Sequence, residues 1–506
     1  MVSPDERAPL LHHPAEEDED GQEFRVHENH VPQNSFSTAD RVMVLALLSL
    51  VILTSTVGSV LGDGGLNRIQ LDIICHTANS TAAPGTEPCD SKQSIHEAAK
   101  LQAWKRSLSM LIGLLTLVPY GLAADSFSRR NLLALSVAGS LVSKAAEIIV
   151  CAFPHAFNVR LAWLSSLFTV VGGGPYVFSA VVFALASDVS SKAQRATVFF
   201  GVQSLAWAAG IISQPLLVTL RHRDPWLAVY AGLAMICACA ALVLFLPATR
   251  DAASLTGTSC VTEESSSTSS TWATNWYARV KSATRPLWTT ARWILLDNKT
   301  LGAVLLGVLF VNMSALSPST AYRYALERFD WSRERVVVGI LRVSSWSTLA
   351  VTAVALPVVA QVLTRLDLTP LQQNVWLARV VVFTVMIGHF ISGLSTAWGP
   401  LVVGTALVAS ARGFFVVSRS LLAILGNDRH LAALFSLAGA VEIVSYSIRR
   451  PLAEWLLRVG RGWGDAWYGL PYFVGIILAA VGAVVAVSLR PGGRLSDEQV
   501  QDDEAA

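Results

Sequence analysis

The chain has 506 residues, of which 53% are hydrophobic and only 15% charged, with a formal net charge of +2. Such a composition leaves too little polar surface to coat a water-soluble globule, and the basic residues are scattered over loops, so no nucleic-acid-binding stripe exists. The ten histidines are dispersed, no His/Cys/Asp grouping has ligand or nucleophile spacing, and no phosphate-binding glycine loop occurs; an enzyme, a metal site, a cofactor and direct ATP drive are not expected.

Residues 1–40 are polar, include the acidic run EEDED, and read as a disordered cytosolic tail without a cleavable signal peptide. Apolar runs of about twenty residues, the length that crosses hydrocarbon, then recur near 41–62, 103–124, 131–153, 161–186, 197–219 and 226–247. A polar, Ser/Thr-rich insert of 248–300 follows, and its second part, Trp276 to Leu296, mixes Trp, Arg and Lys at helical spacing, as in a helix lying on a membrane surface. Six more runs lie near 301–323, 335–363, 376–396, 399–425, 431–457 and 467–489, before a cytosolic tail of 490–506. The predicted fold is an all-α membrane protein of twelve transmembrane helices in two six-helix bundles, 41–247 and 301–489. A faint repeat supports duplication: Gly174, Ser179, Ala184 and Asp188 have the same spacing as Gly413, Ser418, Ala423 and Asn427.

The first loop, after residue 62, carries the glycosylation acceptor Asn79-Ser80-Thr81, flanked by Cys75 and Cys89, which are candidates for a disulfide. These features set that loop outside and both termini in the cytosol, where charge counting alone is ambiguous because Arg221, Arg223, Arg328 and Arg335 fall in outer loops. In the N-terminal tail, Glu6, Leu10 and Leu11 resemble the acidic dileucine signals that sorting adaptors read, so a vacuolar membrane stands beside the plasma membrane as the destination.

The second run ends in GLAADSFSRR, in which Gly121, Asp125, Arg129 and Arg130 mark a membrane helix turning into a short charged loop. Gly121 allows close helix approach, Asp125 suits the N-terminus of a facing helix, and the two arginines are expected in cytosolic water and headgroups. This stretch resembles the signature loop between the second and third helices of the major facilitator superfamily, with Ser128 where a glycine is usual. The segments VPYGLAAD, AYRYALERFDW and SRSLLAIL, with the first loop, are similar to a group of fungal members of that superfamily. The resemblance implies a multidrug or metabolite transporter, with a small molecule as cargo, the bilayer as surroundings and a monomeric state.

Charges inside the predicted spans point to mechanism, because an ionisable group in hydrocarbon is costly unless it is paired or lines a wet cavity. Lys144 and Glu147 share one face of the third span, either as a plain ion pair or with Glu147 exchanging a proton under the influence of Lys144. In the second half, Arg342, Arg412, Glu442, Arg449 and Arg450 lie within spans, and such residues suit an organic anion; Gln203 and Asn312 add uncharged hydrogen-bonding positions. Gly201, Gly210 and Pro215 match half of a fifth-helix motif common in major facilitator exporters, and the same residues would serve a kinked, closely packed helix. The expected function is secondary transport by alternating access, with proton-coupled efflux favoured over a proton-coupled importer or a non-transporting sensor.

Overall fold

The computed structural model describes residues 38–79, 92–126, 128–192, 194–247, 298–315, 318–329, 332, 336–426, 431–464 and 467–488. Glu6, Leu10, Leu11, Cys89, Asn427, the surface helix expected at 276–296 and the C-terminal tail lie outside the described residues. Every regular element described is helical, as it must be where hydrocarbon offers no partner to the backbone.

In chain order the elements are α1 Thr38–Asn79, α2 Lys92–Ser126, α3 Arg129–Ala152, a 3-10 helix Val159–Val170 leading into α4 Gly174–Val189, α5 Arg195–Arg223 and α6 Pro225–Leu244. The second half has α7 Lys299–Ser314, α8 Pro318–Phe329, α9 Val343–Ala350 and α10 Leu356–Thr364, with π-helical turns before and between α9 and α10. It ends with α11 Pro370–Gly393, α12 Trp398–Val408, α13 Ala411–Leu425, α14 Leu431–Trp463 and α15 Leu470–Ser488. Among the described residues eleven helices are long and apolar enough to cross a membrane, taking the 3-10 helix with α4, α9 with α10 and their π-helical turns, and α12 with α13 as single crossings; α7, at 16 residues, is shorter.

Several expected boundaries move. The first span was expected to end at 62, yet α1 runs on through Gly62-Asp63-Gly64-Gly65 to Asn79, so Cys75 and Asn79 belong to a helix and not to a loop. Glycines weaken an isolated helix by roughly 0.5–1 kcal/mol each, but here the flat glycine face is what lets α6 approach. A Cβ added at Gly232 of α6 would meet the Gly62 nitrogen at 2.5 Å and the Gly58 carbonyl oxygen at 2.8 Å, and one at Gly65 would meet the Pro225 carbonyl oxygen at 2.9 Å. Gly232→Leu is therefore expected to cut the yield of monodisperse protein severalfold in gel filtration, whereas Gly462→Leu, where a Cβ meets nothing within 4 Å, leaves it unchanged.

The fourth span is broken where 161–186 was expected to be continuous. Gly172, Gly173 and Gly174 have φ of +102, +75 and +66, and Pro175 has no N–H, so the chain leaves one helix and enters another. The Tyr120 hydroxyl mends the break by donating to the Val170 carbonyl at 3.0 Å and accepting from the Gly172 N–H at 2.9 Å. The seventh span, expected at 301–323, likewise divides into α7 and α8, with Pro318 opening the second piece. The tenth divides at Ala409-Ser410, and the Ser410 hydroxyl donates to the Leu407 carbonyl at 2.6 Å. Prolines inside α2, α5 and α14 are accommodated without ending those helices.

Candidate functional site: a capped helix between the halves and a cationic pocket

At one end of the molecule the two halves of the chain meet through backbone-directed ion contacts. The first turn of α14 leaves amide N–H groups without intrahelical partners, and Asp125, at the end of α2, accepts from two of them, Ala432 at 3.0 Å and Ala433 at 2.9 Å. A carboxylate there also meets the positive end of the helix dipole. Gly121, one turn earlier, makes the approach feasible: a Cβ on it would run into the Ser436 hydroxyl and lie 3.1 Å from the Ala432 carbonyl oxygen.

Arg129 corrects the expectation of a water-exposed basic pair. It is 1% exposed, its guanidinium lies 2.5 Å from Asp188 and 3.6 Å from Asp125, and it donates to the Ala184 carbonyl at 2.7 Å. Burial is tolerated because two carboxylates share its charge. Arg130 is half-buried and donates to the Leu246 carbonyl at 3.3 Å. Ser128, in the usual glycine position, has an ordinary φ of −59, so this turn does not require glycine.

A matching contact comes from Arg195 at the start of α5, which donates to the Ala423 carbonyl of α13 at 3.0 Å. Ala184 and Ala423 are equivalent positions in the faint repeat, and both carbonyls receive an arginine. Behind these contacts Phe183, Phe199, Phe415 and Phe435 pack edge to face, with centroids 5.1–6.5 Å apart. Arg419, 2% exposed, lies 3.9 Å from the Phe415 ring centre and 4.3 Å from that of Phe183, and donates to Ser179 at 3.1 Å. Sequence reading did not single out Arg419; its signal is a cation two helical turns after Arg412 within an apolar run.

The first half holds a second charged cluster. Lys144 was paired with Glu147 on sequence spacing, and the two stand 3.8 Å apart, but the nearer partner of Glu147 is Lys105 of α2 at 2.5 Å. Lys144 bonds instead to Asp63, which also lies 3.7 Å from Lys105. Gln70 donates to Glu147 at 2.9 Å and accepts from Gln102 at 2.6 Å. Asp63 and Gln70 escaped the sequence reading because they fall beyond the predicted first span and the helix continues past them; Lys105 lies within the predicted second span and was not singled out.

In the second half, Arg412 and Arg449 line one pocket, together with Ser344, Thr405 and Tyr472. The break between α12 and α13 turns Arg412 into it. Arg412 donates to the Thr348 hydroxyl at 2.8 Å and rests 5.0 Å from the ring centre of Trp207, on α5 of the first half. Arg449 donates at 3.3 Å to the backbone carbonyl of Asn312 and lies 4.6 Å from the ring of Tyr446. Glu442 is half-buried on α14, and among the described residues no cation lies within ion-pair distance of it. Arg342 is exposed, and Arg450 pairs with Glu454 at 3.3 Å. Gln203 is half-buried one turn before Trp207. Gly201 and Gly210 face open space, since a Cβ at either meets nothing within 4 Å, so close packing is not what those positions serve in this arrangement; Pro215 lies within α5. Among the described residues no group of three His, Cys, Asp or Glu side chains is arranged to hold a metal ion.

No protein-family model matches the chain. It is 26% identical over 479 residues to the MFS efflux pump atnC of Emericella nidulans, covering 90% of each chain. Its fold matches a bacterial homologue of the iron transporter ferroportin in an outward-facing state, with a TM-score of 0.63 at 13% identity over 88% of this chain and 98% of that one. It also matches the major facilitator transporter FucP in an outward conformation, with a TM-score of 0.56 at 14% identity over 90% of this chain and all of the other. The chain thus carries the major facilitator fold and resembles the fungal efflux members of that superfamily.

Proposed function

We propose that this protein is a secondary active transporter that exports a small organic molecule by alternating access, with twelve transmembrane helices in two bundles that rock against each other. The observation that carries the reading is the capping of the α14 N-terminus by Asp125 across the two halves of the chain. Such a contact is made when one end is closed and lost when that end opens, so it belongs to one of two states and biases the equilibrium between them. The steric fit of Gly121 against Ser436 and the phenylalanine cluster close the same end. In this reading that end faces the cytosol, the halves are residues 41–247 and 301–489, and export follows from the likeness to the Emericella efflux pump.

Proton coupling is assigned to Glu442. Asp63 and Glu147 each contact two ammonium groups and serve to hold α1, α2 and α3 together. Glu442 has no such contact in the described residues and stands on α14, the helix that Asp125 caps.

Cells lacking the protein are expected to retain at least one organic metabolite that cells expressing it release, and sealed vesicles containing it are expected to move that metabolite down an imposed pH gradient. Identical metabolite retention in both strains, together with no flux in vesicles, sinks the reading. Asp125→Asn keeps the shape of the cap but removes its charge, and charge-assisted hydrogen bonds are about twice as strong as neutral ones; transport should slow severalfold at equal protein level. An unchanged rate would remove the cap from the cycle.

A further inference from the structure

The pocket between Arg412 and Arg449 has a charge imbalance that export of an unspecified molecule does not explain. Two guanidinium groups line one cavity, and among the described residues neither has a carboxylate within ion-pair distance. The first-half cluster, by contrast, balances two lysines with two carboxylates. Cations in hydrocarbon are costly unless compensated, and here the direct contacts are soft: the faces of Trp207 and Tyr446, one hydroxyl and one backbone carbonyl; the one carboxylate that acts on Arg449 among the described residues, Glu442, does so from beyond ion-pair distance and leaves two cations against one anion. Among the described residues the buried Arg449 Nε and Tyr472 hydroxyl have no hydrogen-bond partner, so the pocket holds donors that nothing described accepts from. A cationic cargo would be repelled, and a neutral one would leave both charges as they are. An anion would satisfy the donors and the charge together.

We infer that this pocket binds the carboxylate of an organic anion, with the two arginines as its partners and an apolar body against Ile340, Val408 and Tyr472 of its lining. Planar guanidinium groups take carboxylates through paired N–H donors. The lining residues, Ala315 to Tyr472, all belong to the second half of the chain, and Arg412 reaches the first half through the ring of Trp207 on α5. This inference rests on the transporter reading for its meaning as a cargo site, but its test does not.

The test uses the purified full chain in lipid nanodiscs and three probes of one shape: 2-naphthoate, the neutral 2-naphthamide and the cationic 2-(aminomethyl)naphthalene, with binding measured by titration calorimetry. Naphthoate is expected to bind at least about tenfold tighter than the amide, as one charge-assisted pair allows, and the amine is expected not to bind. Arg412→Gln and Arg449→Gln should each remove that preference, and Arg449→Lys, which keeps the charge without the fork, should retain part of it. Equal affinity for naphthoate and naphthamide, absence of naphthoate binding, or selectivity unchanged in both Gln variants overturns the anion site. The comparison of probes on the unaltered protein needs no variant to fold. Selective naphthoate binding in a protein without vesicle flux would overturn the transporter reading and leave the site; flux without selectivity would do the reverse.

Discussion

Gly121→Leu is expected to abolish transport while leaving the protein inserted in the membrane. Even a single carbon at this position collides with the Ser436 side chain and lies 3.1 Å from the Ala432 carbonyl oxygen, so a leucine cannot coexist with the contact between α2 and α14. Overpacking of this kind costs about 1–3 kcal/mol, and all of it falls on the closed state, because the open state separates the two helices. A bias of that size shifts a two-state equilibrium by about 5- to 150-fold, and the added bulk of leucine places the expected loss at the upper end. The gate end should then stand open, so a cysteine placed at Ala433 should react faster with a soluble maleimide than in the unaltered protein. Gly121→Ala should be milder, and Gly121→Ala with Ser436→Gly should restore flux because the space for one carbon is returned. Normal flux in Gly121→Leu would mean that α2 and α14 never close on each other as this structure has them.

The second large effect separates the membrane carboxylates by role. Glu442→Gln is expected to abolish pH-gradient-driven flux while cargo exchange continues, since an amide keeps the shape of the protonated acid but has no proton to release. Glu147→Gln should act on the protein's stability instead. Glu147 is 1% exposed and bonded to both Lys105 and Gln70; without its charge the cluster is left with two ammonium groups against Asp63 alone. Breaking one side of a buried pair typically costs about 3–5 kcal/mol. The yield of folded protein should therefore fall steeply, and adding Lys105→Met should recover it, since charge is balanced again. Lys105 is the member to change, being closer to Glu147 than Lys144 is. If instead Glu147→Gln gives a well-folded carrier that has lost coupling and Glu442→Gln remains coupled, the two roles are exchanged.

The membrane class, the approximate place of most of the apolar helices and the loop that meets α14 were legible in the sequence, because each depends on local quantities. About twenty apolar residues must span hydrocarbon whatever surrounds them, and GLAADSFSRR joins a close-packing glycine to a capping carboxylate within two helical turns. What the carboxylate caps was not legible, because Asp125 and Ala432 are separated by more than three hundred positions and their contact depends on how the halves meet. Helix ends inside the membrane were misjudged for a related reason. The glycines at 62, 64 and 65 look like a terminus in an isolated chain, but α1 continues through them, with the backbone of α6 close against Gly62 and Gly65 and Leu217 of α5 against Gly64. The triglycine at 172–174, within an apolar run, breaks its helix because Tyr120 from another helix supplies the hydrogen bonds that the backbone loses there.

Charge pairing shows the same division. Spacing on one helix proposed Lys144 with Glu147, since residues three apart share a face; the structure has that pair at 3.8 Å, and the tertiary packing adds nearer partners for both by bringing Lys105 and Asp63 in from two other helices. Arg129 looked like a headgroup residue by its position in the chain, and became a buried one because α4 delivers Asp188 to it. Arg412, Glu442 and Arg449 were visible in the sequence as charges where hydrocarbon should be, but their division into an arginine pair lining one pocket and a carboxylate without an ion-pair partner among the described residues is a property of packing alone. Composition and periodicity determine which residues must lie in the bilayer, since solvation acts on each residue separately. Partnership is decided by the tertiary structure, since the Coulomb and hydrogen-bond terms that set it act over a few ångströms between residues far apart in the chain.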